Sequence, residues 1–345
     1  MADTFQWVLG IESSCDETAA AVLRDGKTLS ANLVASQTEL HQEYGGVVPE
    51  LASRRHMETI NLLIDRAMEE SGITLTDLDG IAVSKGPGLA GALLVGVSTA
   101  KALAYSIGVP YVGINHMEGH IYANWLEGGD ISFPLLGLIA SGGHTALMVL
   151  EEHGKYRLLG QTRDDAAGEA YDKVARAMGL GYPGGPILDR LAPEGDPAAF
   201  ALPVAQLKDD PWGFSFSGLK TAVLNILNQW KMNHKQINTA DLAASFQENV
   251  TALLTEKAIA AAKAYGVGSV LLAGGVAANS GLRQKMTAAC AREGLGLHLP
   301  EPAFCTDNAA MVACAGYHRL KAGFRDDWSM NAEPSLGFEI EQRKE

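Results

Sequence analysis

The chain has 345 residues, 47% of them hydrophobic, a length that accommodates two domains of ordinary size. Its formal net charge of −13 disfavours a nucleic-acid ligand unless lysines and arginines cluster locally or a partner subunit supplies them. Apolar runs such as residues 134–140 and 269–273 suit buried strands and are too short for a bilayer. Residues 1–4 lack the features of a secretory signal, and four cysteines without a C-x-x-C pair fit reduced thiols, so a cytoplasmic protein with no membrane partner is expected.

In chain order, residues 8–23 read as strand, tight polar turn and strand, the turn being Ser13-Ser14-Cys15-Asp16-Glu17. Residues 51–71 carry Ile60, Leu63, Ile64, Ala67 and Met68 at helical spacing and end at Gly72. Ile81-Ala82-Val83-Ser84 predicts a strand that runs into Gly86-Pro87-Gly88 and a helix from about 89 to 106. Residues 108–114 are a buried strand leading into His116-Met117-Glu118-Gly119-His120.

Two imidazoles four residues apart share one face of a helix and can share a metal. The spacing alone leaves a metal pair and an ordinary polar face both open. Glu118 is misplaced for a metalloprotease, whose Glu adjoins one of the two His. At about 100° per residue it lies roughly 200° around the helix from His116 and points away from any shared ion.

The stretch 128–134 is the expected inter-lobe boundary, and the next segment repeats the first. Residues 135–150 align without a gap on residues 8–23, with identical pairs such as Leu9/Leu136, Gly10/Gly137, Ser14/Ser141, Thr18/Thr145 and Val22/Val149. The second copy's turn, Ser141-Gly142-Gly143, leaves backbone N–H groups open to an anion. Val270-Leu271-Leu272-Ala273, Gly274-Gly275-Val276 and a helix from about 280 to 293 repeat the strand, glycine turn and helix of the first half. Duplication of one α/β domain follows, with a ligand expected in a cleft between the copies. The lobes are placed at 1–127 and 133–325, with a tail at 326–345.

The second half also carries an insertion at about 160–240. In it, Asp164-Asp165 should cap a helix through Met178, closed by Gly179. Tyr182-Pro183-Gly184-Gly185-Pro186 and Phe214-Ser215-Phe216-Ser217-Gly218-Leu219-Lys220 are constrained turns, readable as chain reversals or as ligand contacts. Asp307, in Thr306-Asp307-Asn308 before an apolar helix, could serve as an ordinary N-cap.

Taken together, these motifs resemble the TsaD/YgjD/Gcp family of bacterial-type tRNA N6-adenosine threonylcarbamoyltransferases. The resemblance runs over about residues 7–325 and includes Gly10–Thr18, Tyr44–Glu50, the His motif, Ser141–Thr145, Gly168–Lys173, the two insertion turns, Ala273–Asn279 and Cys305–Asn308. It implies an α/β fold of the duplicated actin/hexokinase/Hsp70 type (ASKHA). It also implies transfer of threonylcarbamoyl from threonylcarbamoyl-AMP to N6 of the adenosine 3′ of the anticodon, in tRNAs reading codons that begin with A.

By the same resemblance, His116, His120 and Asp307 hold one divalent metal per subunit, iron being the first candidate and zinc the alternative. Ile139, Ala140, Ser141, Gly142 and Gly143 contact the donor, Asp172, Gly185 and Asp189 hold its nucleoside part, and Asn279 lies beside the adenylate. Asp16 and Glu17 are the candidate catalytic carboxyls, either taking a proton from N6 or positioning the donor. Cys15 has no His dedicated to it and is not expected to act as a nucleophile. The implied partners are tRNA, an inactive paralogue forming a heterodimer through the first lobe, and a P-loop ATPase; helices 51–71 and 89–106 are candidate partner surfaces. Arg54-Arg55-His56, Lys220, Arg283 and Lys285 are candidate tRNA contacts.

Two other activities compete. The family has also carried the label of an O-sialoglycoprotein endopeptidase, a metalloprotease. A kinase or ATPase of the same fold would usually show Asp-x-Gly-x-Thr in the first turn, where this chain has Ser14-Cys15-Asp16-Glu17-Thr18.

Overall fold

A computed structural model describes residues 5–126, 131–204, 207–233 and 238–338. Two compact units emerge, Met1–Ile131 with Ala303–Glu345, and Ser132–Pro302. Part of the expected boundary stretch, 128–130, lies outside the described residues.

The first unit is built on strands β1 (Trp7–Glu12), β2 (Glu17–Arg24), β3 (Thr28–Ser36), β4 (Gly80–Gly86) and β5 (Tyr111–Asn115), in the sheet order β3-β2-β1-β4-β5. Between the strands lie helices α1 (Thr38–Gln42), α2 (Pro49–Ser71) and α3 (Ala90–Ile107), and α4 (His116–Tyr122) follows β5. Gly72 closes α2 at φ +70°, a left-handed conformation that glycine adopts without a Cβ penalty. By length and composition α3 could cross a membrane, but it packs on β4 and α2 with Leu93, Val97 and Ala100 buried.

The second unit repeats the plan with β6 (Leu135–Ala140), β7 (Thr145–Glu152) and β8 (Lys155–Gln161). The insertion helices α5 (Ala167–Ala177), α6 (Gly184–Leu191) and α7 (Ser217–Met232) follow, then α8 (Thr239–Tyr265), β9 (Ser269–Ala273), α9 (Ser280–Glu293) and β10 (Gly296–His298). Its sheet runs β8-β7-β6-β9-β10, the same order as the first. The sequence repeat is reproduced in the pairing. Leu9 faces Val22 as Leu136 faces Val149, and Leu9 lies beside Ile81 as Leu136 lies beside Val270.

Helices α10 (Pro302–Cys305) and α11 (Ala309–Lys321) end the regular structure. Here the units divide differently from the expected lobes, because α11 packs on β1, β2 and β4 of the first unit. The physical reason is close backbone approach: a methyl at position 10 would collide with the Ala309 carbonyl and the Ala313 nitrogen, and one at Gly316 with Ala82. The segment after α11 is also part of the first unit. Tyr111 OH donates to the Asp327 carbonyl at 2.5 Å, Lys101 Nζ to Trp328 O at 2.7 Å, and Gly88 N to Pro334 O at 3.1 Å.

The insertion corrects one expectation. Asp164 and Asp165 do not cap α5, whose N-cap is Ala166 with no side-chain hydrogen bond. Asp164 instead accepts from Ser215 Oγ and Phe216 N, while Asp165 binds Lys173 and Lys220. These carboxylates therefore tie the Phe214–Lys220 turn to α5.

Gly10→Ala should destabilise the protein by about 1–3 kcal/mol or more, the range for overpacking a close contact. The urea midpoint checks this, and an unchanged midpoint would mean that α11 is not seated on β1.

Candidate metal centre and donor turns

The His motif becomes a site because asparagines take the capping work. Asn115 is the N-cap of α4, its Oδ1 accepting from Met117 N at 2.9 Å, so His116 begins the helix with its ring free for other contacts. Likewise Asn308, not Asp307, caps α11 through Met311 N at 3.0 Å. The Asp307 carboxylate turns instead toward the histidines, its Oδ1 3.4 Å from His116 Nε2 and 3.3 Å from His120 Nε2. The two rings stand edge to face, 4.7 Å apart.

One ligand atom from each of His116, His120 and Asp307 lies within 4.8 Å of the other two. Ligands tetrahedrally bound at about 2.0–2.2 Å are about 3.3–3.6 Å apart, a range that includes the two imidazole–carboxylate distances. The donor set fits a divalent metal with open positions for substrate or water.

A carboxylate that the sequence reading missed supports this arrangement. Glu12 is fully buried in β1, and its Oε2 lies 3.0 Å from His116 Nδ1. Ser84 Oγ donates to the same oxygen at 2.5 Å, and Ser14 N donates to Oε1 at 2.6 Å. A carboxylate on Nδ1 orients the ring and leaves Nε2 for a metal, the usual outer partner of a ligating histidine. The signal in the sequence was an ionisable residue closing an otherwise apolar strand. His120 Nδ1, by contrast, is buried without a hydrogen-bond partner among the described residues.

The electrostatics are those of crowded carboxylates. Burial alone would raise Asp307, yet His116 holds it well below the usual carboxylate range. Burial would lower His116, but Asp307 and Glu12 keep it well above the ordinary imidazole value. Glu17 is pushed up to about 9 by burial, then by Asp307 and Asp16. Cys15 is raised by burial and by Asp16, which disfavours its thiolate form. His56 is buried as well, hydrogen-bonded to Thr18 Oγ1 at 2.7 Å and to the Cys15 carbonyl at 2.9 Å.

The expected donor-contact residues all fall in the second unit. Ile139 and Ala140 are buried in β6, and Ser141 N donates to His144 O at 2.8 Å to close the turn. Gly142 and Gly143 are exposed, and a Cβ on either would meet nothing within 4 Å. Gly168 N donates to Ser141 O at 3.1 Å, tying α5 to this turn.

Asp172 Oδ1 accepts from Gly184 N at 2.7 Å and the carboxylate is also bonded by Gly185 N; burial nevertheless raises its pKa. Asp189 accepts from Ser280 N and Oγ at the start of α9, at 3.0 and 2.8 Å. Asn279 caps α9 through Leu282 N, and its Nδ2 donates to Gln247 Oε1 at 2.8 Å. Gln247 was not singled out in the sequence, since nothing in the spacing of α8 marks it.

The proposed tRNA cations fare differently. His56 cannot reach a surface ligand. Lys220 is held by Asp165, Lys285 by Glu248, and Arg283 donates to the carbonyls of Ala277 and Pro300. Arg54 and Arg55 pair with Glu50 and Glu58 on the exposed side of α2. Glu118 points away from the histidines, as the helix geometry requires, and its carboxylate is bound by Arg319.

A family model described as tRNA N6-adenosine threonylcarbamoyltransferase matches residues 28–314. The chain belongs to this family. Relatives of that name are 56% identical over 331 residues in Geobacillus thermodenitrificans, covering 96% of both chains, and 55% over 334 residues in Symbiobacterium thermophilum, covering 96% and 97%. Among solved structures, full-length HypF in a phosphate- and nucleotide-bound form superposes at a TM-score of 0.61 and 13% identity, over 93% of this chain and 47% of that one. Component A of the Acidaminococcus fermentans (R)-2-hydroxyglutaryl-CoA dehydratase gives 0.53 at 14%, over 92% and 99%. These likenesses show the actin/hexokinase-like fold, ASKHA.

Glu12→Gln should weaken metal affinity by about 10–100-fold, the range for losing a ligand's outer hydrogen-bond partner. A Co(II) titration followed by absorption checks this; unchanged affinity would mean that Glu12 does not support the ligand. Because protons compete for His116, whose pKa is raised, Co(II) affinity should strengthen as pH rises from about 6 to about 8. A flat profile would contradict competition at this ring.

Proposed function

We propose that this chain transfers the threonylcarbamoyl group from threonylcarbamoyl-AMP to N6 of the adenosine 3′ of the anticodon, in tRNAs reading codons that begin with A, with release of AMP. Its membership of the family carries the reading, and the His116–His120–Asp307 triad is the structural observation that supports it most. Fe(II) is the ion we assign, one per subunit, although Zn(II) suits the same ligands. When bound, the ion supplies Lewis acidity toward a donor oxygen.

The chain's own groups do the rest. Glu12 fixes the His116 ring through Nδ1. The open backbone of Ser141-Gly142-Gly143 suits the donor's phosphate, and Asp172, Gly185, Asp189 and Asn279 suit its nucleoside part. In the structure Asp172 and Asp189 hold backbone N–H groups of neighbouring helix starts, so they shape these turns as well as offering acceptors. Asp16 and Glu17 are the carboxyls we assign to positioning the donor or taking the proton from N6; because Glu17 is pushed up to about 9, it suits positioning and the base role falls to Asp16. No protein nucleophile is needed, because the mixed anhydride is already activated.

The inactive paralogue and the P-loop ATPase belong to this reading, as does a cytoplasmic location. Exposed Met57 and Leu62 on α2 and Leu94 on α3 support a partner surface on the first unit.

His116→Ala should abolish formation of the modified nucleoside, measured by HPLC of digested tRNA after reaction with donor and partners. Full retention of product would remove the metal site from the reaction. Cys15→Ser, under the same assay, should stay within about threefold of the parent rate, as expected for a residue that forms no covalent intermediate. Complete loss with an intact fold would reinstate the thiol.

A further inference from the structure

Glu118 lies between the two metal histidines and serves neither as ligand nor as base. Its side chain is 1% exposed, and its Oε2 accepts from Arg319 Nε at 2.9 Å and Nη2 at 2.8 Å. Arg319 is on α11, the helix whose N-cap, Asn308, follows Asp307. The pair thus joins the helix carrying His116 and His120 to the helix whose entry turn carries Asp307. The same two helices meet again where a Cβ on Gly119 would lie 3.3 Å from Met311 Cγ, and where the Tyr122 and His318 rings pack with centroids 5.1 Å apart.

Packing alone does not call for an ion pair here. Two apolar side chains of similar volume would join the helices without desolvating a carboxylate. A planar guanidinium binding one carboxylate oxygen through two N–H groups does something an apolar contact cannot: it fixes orientation. Glu118 is two residues from each histidine, so the pull of Arg319 sets the rotation of α4 about its axis. That rotation decides where both imidazoles point.

We propose that Arg319, acting through Glu118, is a positioning residue for the metal centre. The proposal rests on the reading of His116, His120 and Asp307 as metal ligands. Neither residue would touch the ion or the substrate.

The test is Co(II) binding to the full-length protein, with affinity and the visible d–d spectrum measured on folded wild type, Arg319→Met, Arg319→Lys and His120→Ala. Arg319→Met should weaken Co(II) by about tenfold or more and alter the spectrum, and Arg319→Lys, which keeps the charge but loses the fork, should fall between it and wild type. If Arg319→Met does not fold, Arg319→Lys decides, with at least a threefold loss expected. A purely structural pair would lower the melting temperature while leaving the affinity and spectrum of the folded protein unchanged, and that result overturns the proposal. If wild type fails to bind Co(II), or His120→Ala binds it as tightly, the metal reading itself fails and the proposal falls with it.

Discussion

The seat of α11 on β1 is the contact on which the rest depends. Gly10 offers no side chain, and the α11 backbone occupies the space that a methyl would take. This brings a segment distant in sequence back into the first unit, and with it Asp307. Without that return the Nε2 atoms of the two histidines would have no carboxylate facing them. The equivalent strand of the second unit also has a glycine, Gly137, but there a Cβ would meet the Leu150 and Met148 side chains, not a helix backbone.

Charge supplies the next constraint. Glu12, Asp16, Glu17 and Asp307 lie in or beside the same small region of the first unit, and Glu17 is pushed up to about 9 by burial and then by Asp307 and Asp16. Histidine protons offset part of this charge, as the raised His116 shows. A divalent cation on the triad would replace a proton at His116 and screen Asp307, relieving the repulsion that now falls on Glu17. The fold thus holds its carboxylates in an arrangement that gains from a cation.

Much of the fold was legible in the sequence. The repeat of residues 8–23 at 135–150 carried over to hairpin register, because turns of equal length, 13–16 and 141–144, set the pairing in both copies. Helix α2, its glycine stop and the two strand–glycine–helix units followed from periodicity and turn chemistry. The grouping of α11 with the first unit was not legible, since chain order says nothing of which sheet a returning helix covers. Asp164 and Asp165 looked like caps because local pattern cannot see Ser215, Phe216 and Lys220 some fifty residues on.

For the candidate site, the histidine spacing and the turning of Glu118 away from the histidines followed from helix geometry alone. Glu12 and Arg319 could not be found that way, for each acts on a partner far away in sequence. The most direct test of the central claim is X-ray absorption spectroscopy of zinc-loaded protein. Two imidazole nitrogens at about 2.0–2.1 Å, with the remaining shell made of oxygen and no sulfur, is the result expected from His116, His120 and Asp307. Thiolate scattering at about 2.3 Å, or a shell with no imidazole, would contradict it.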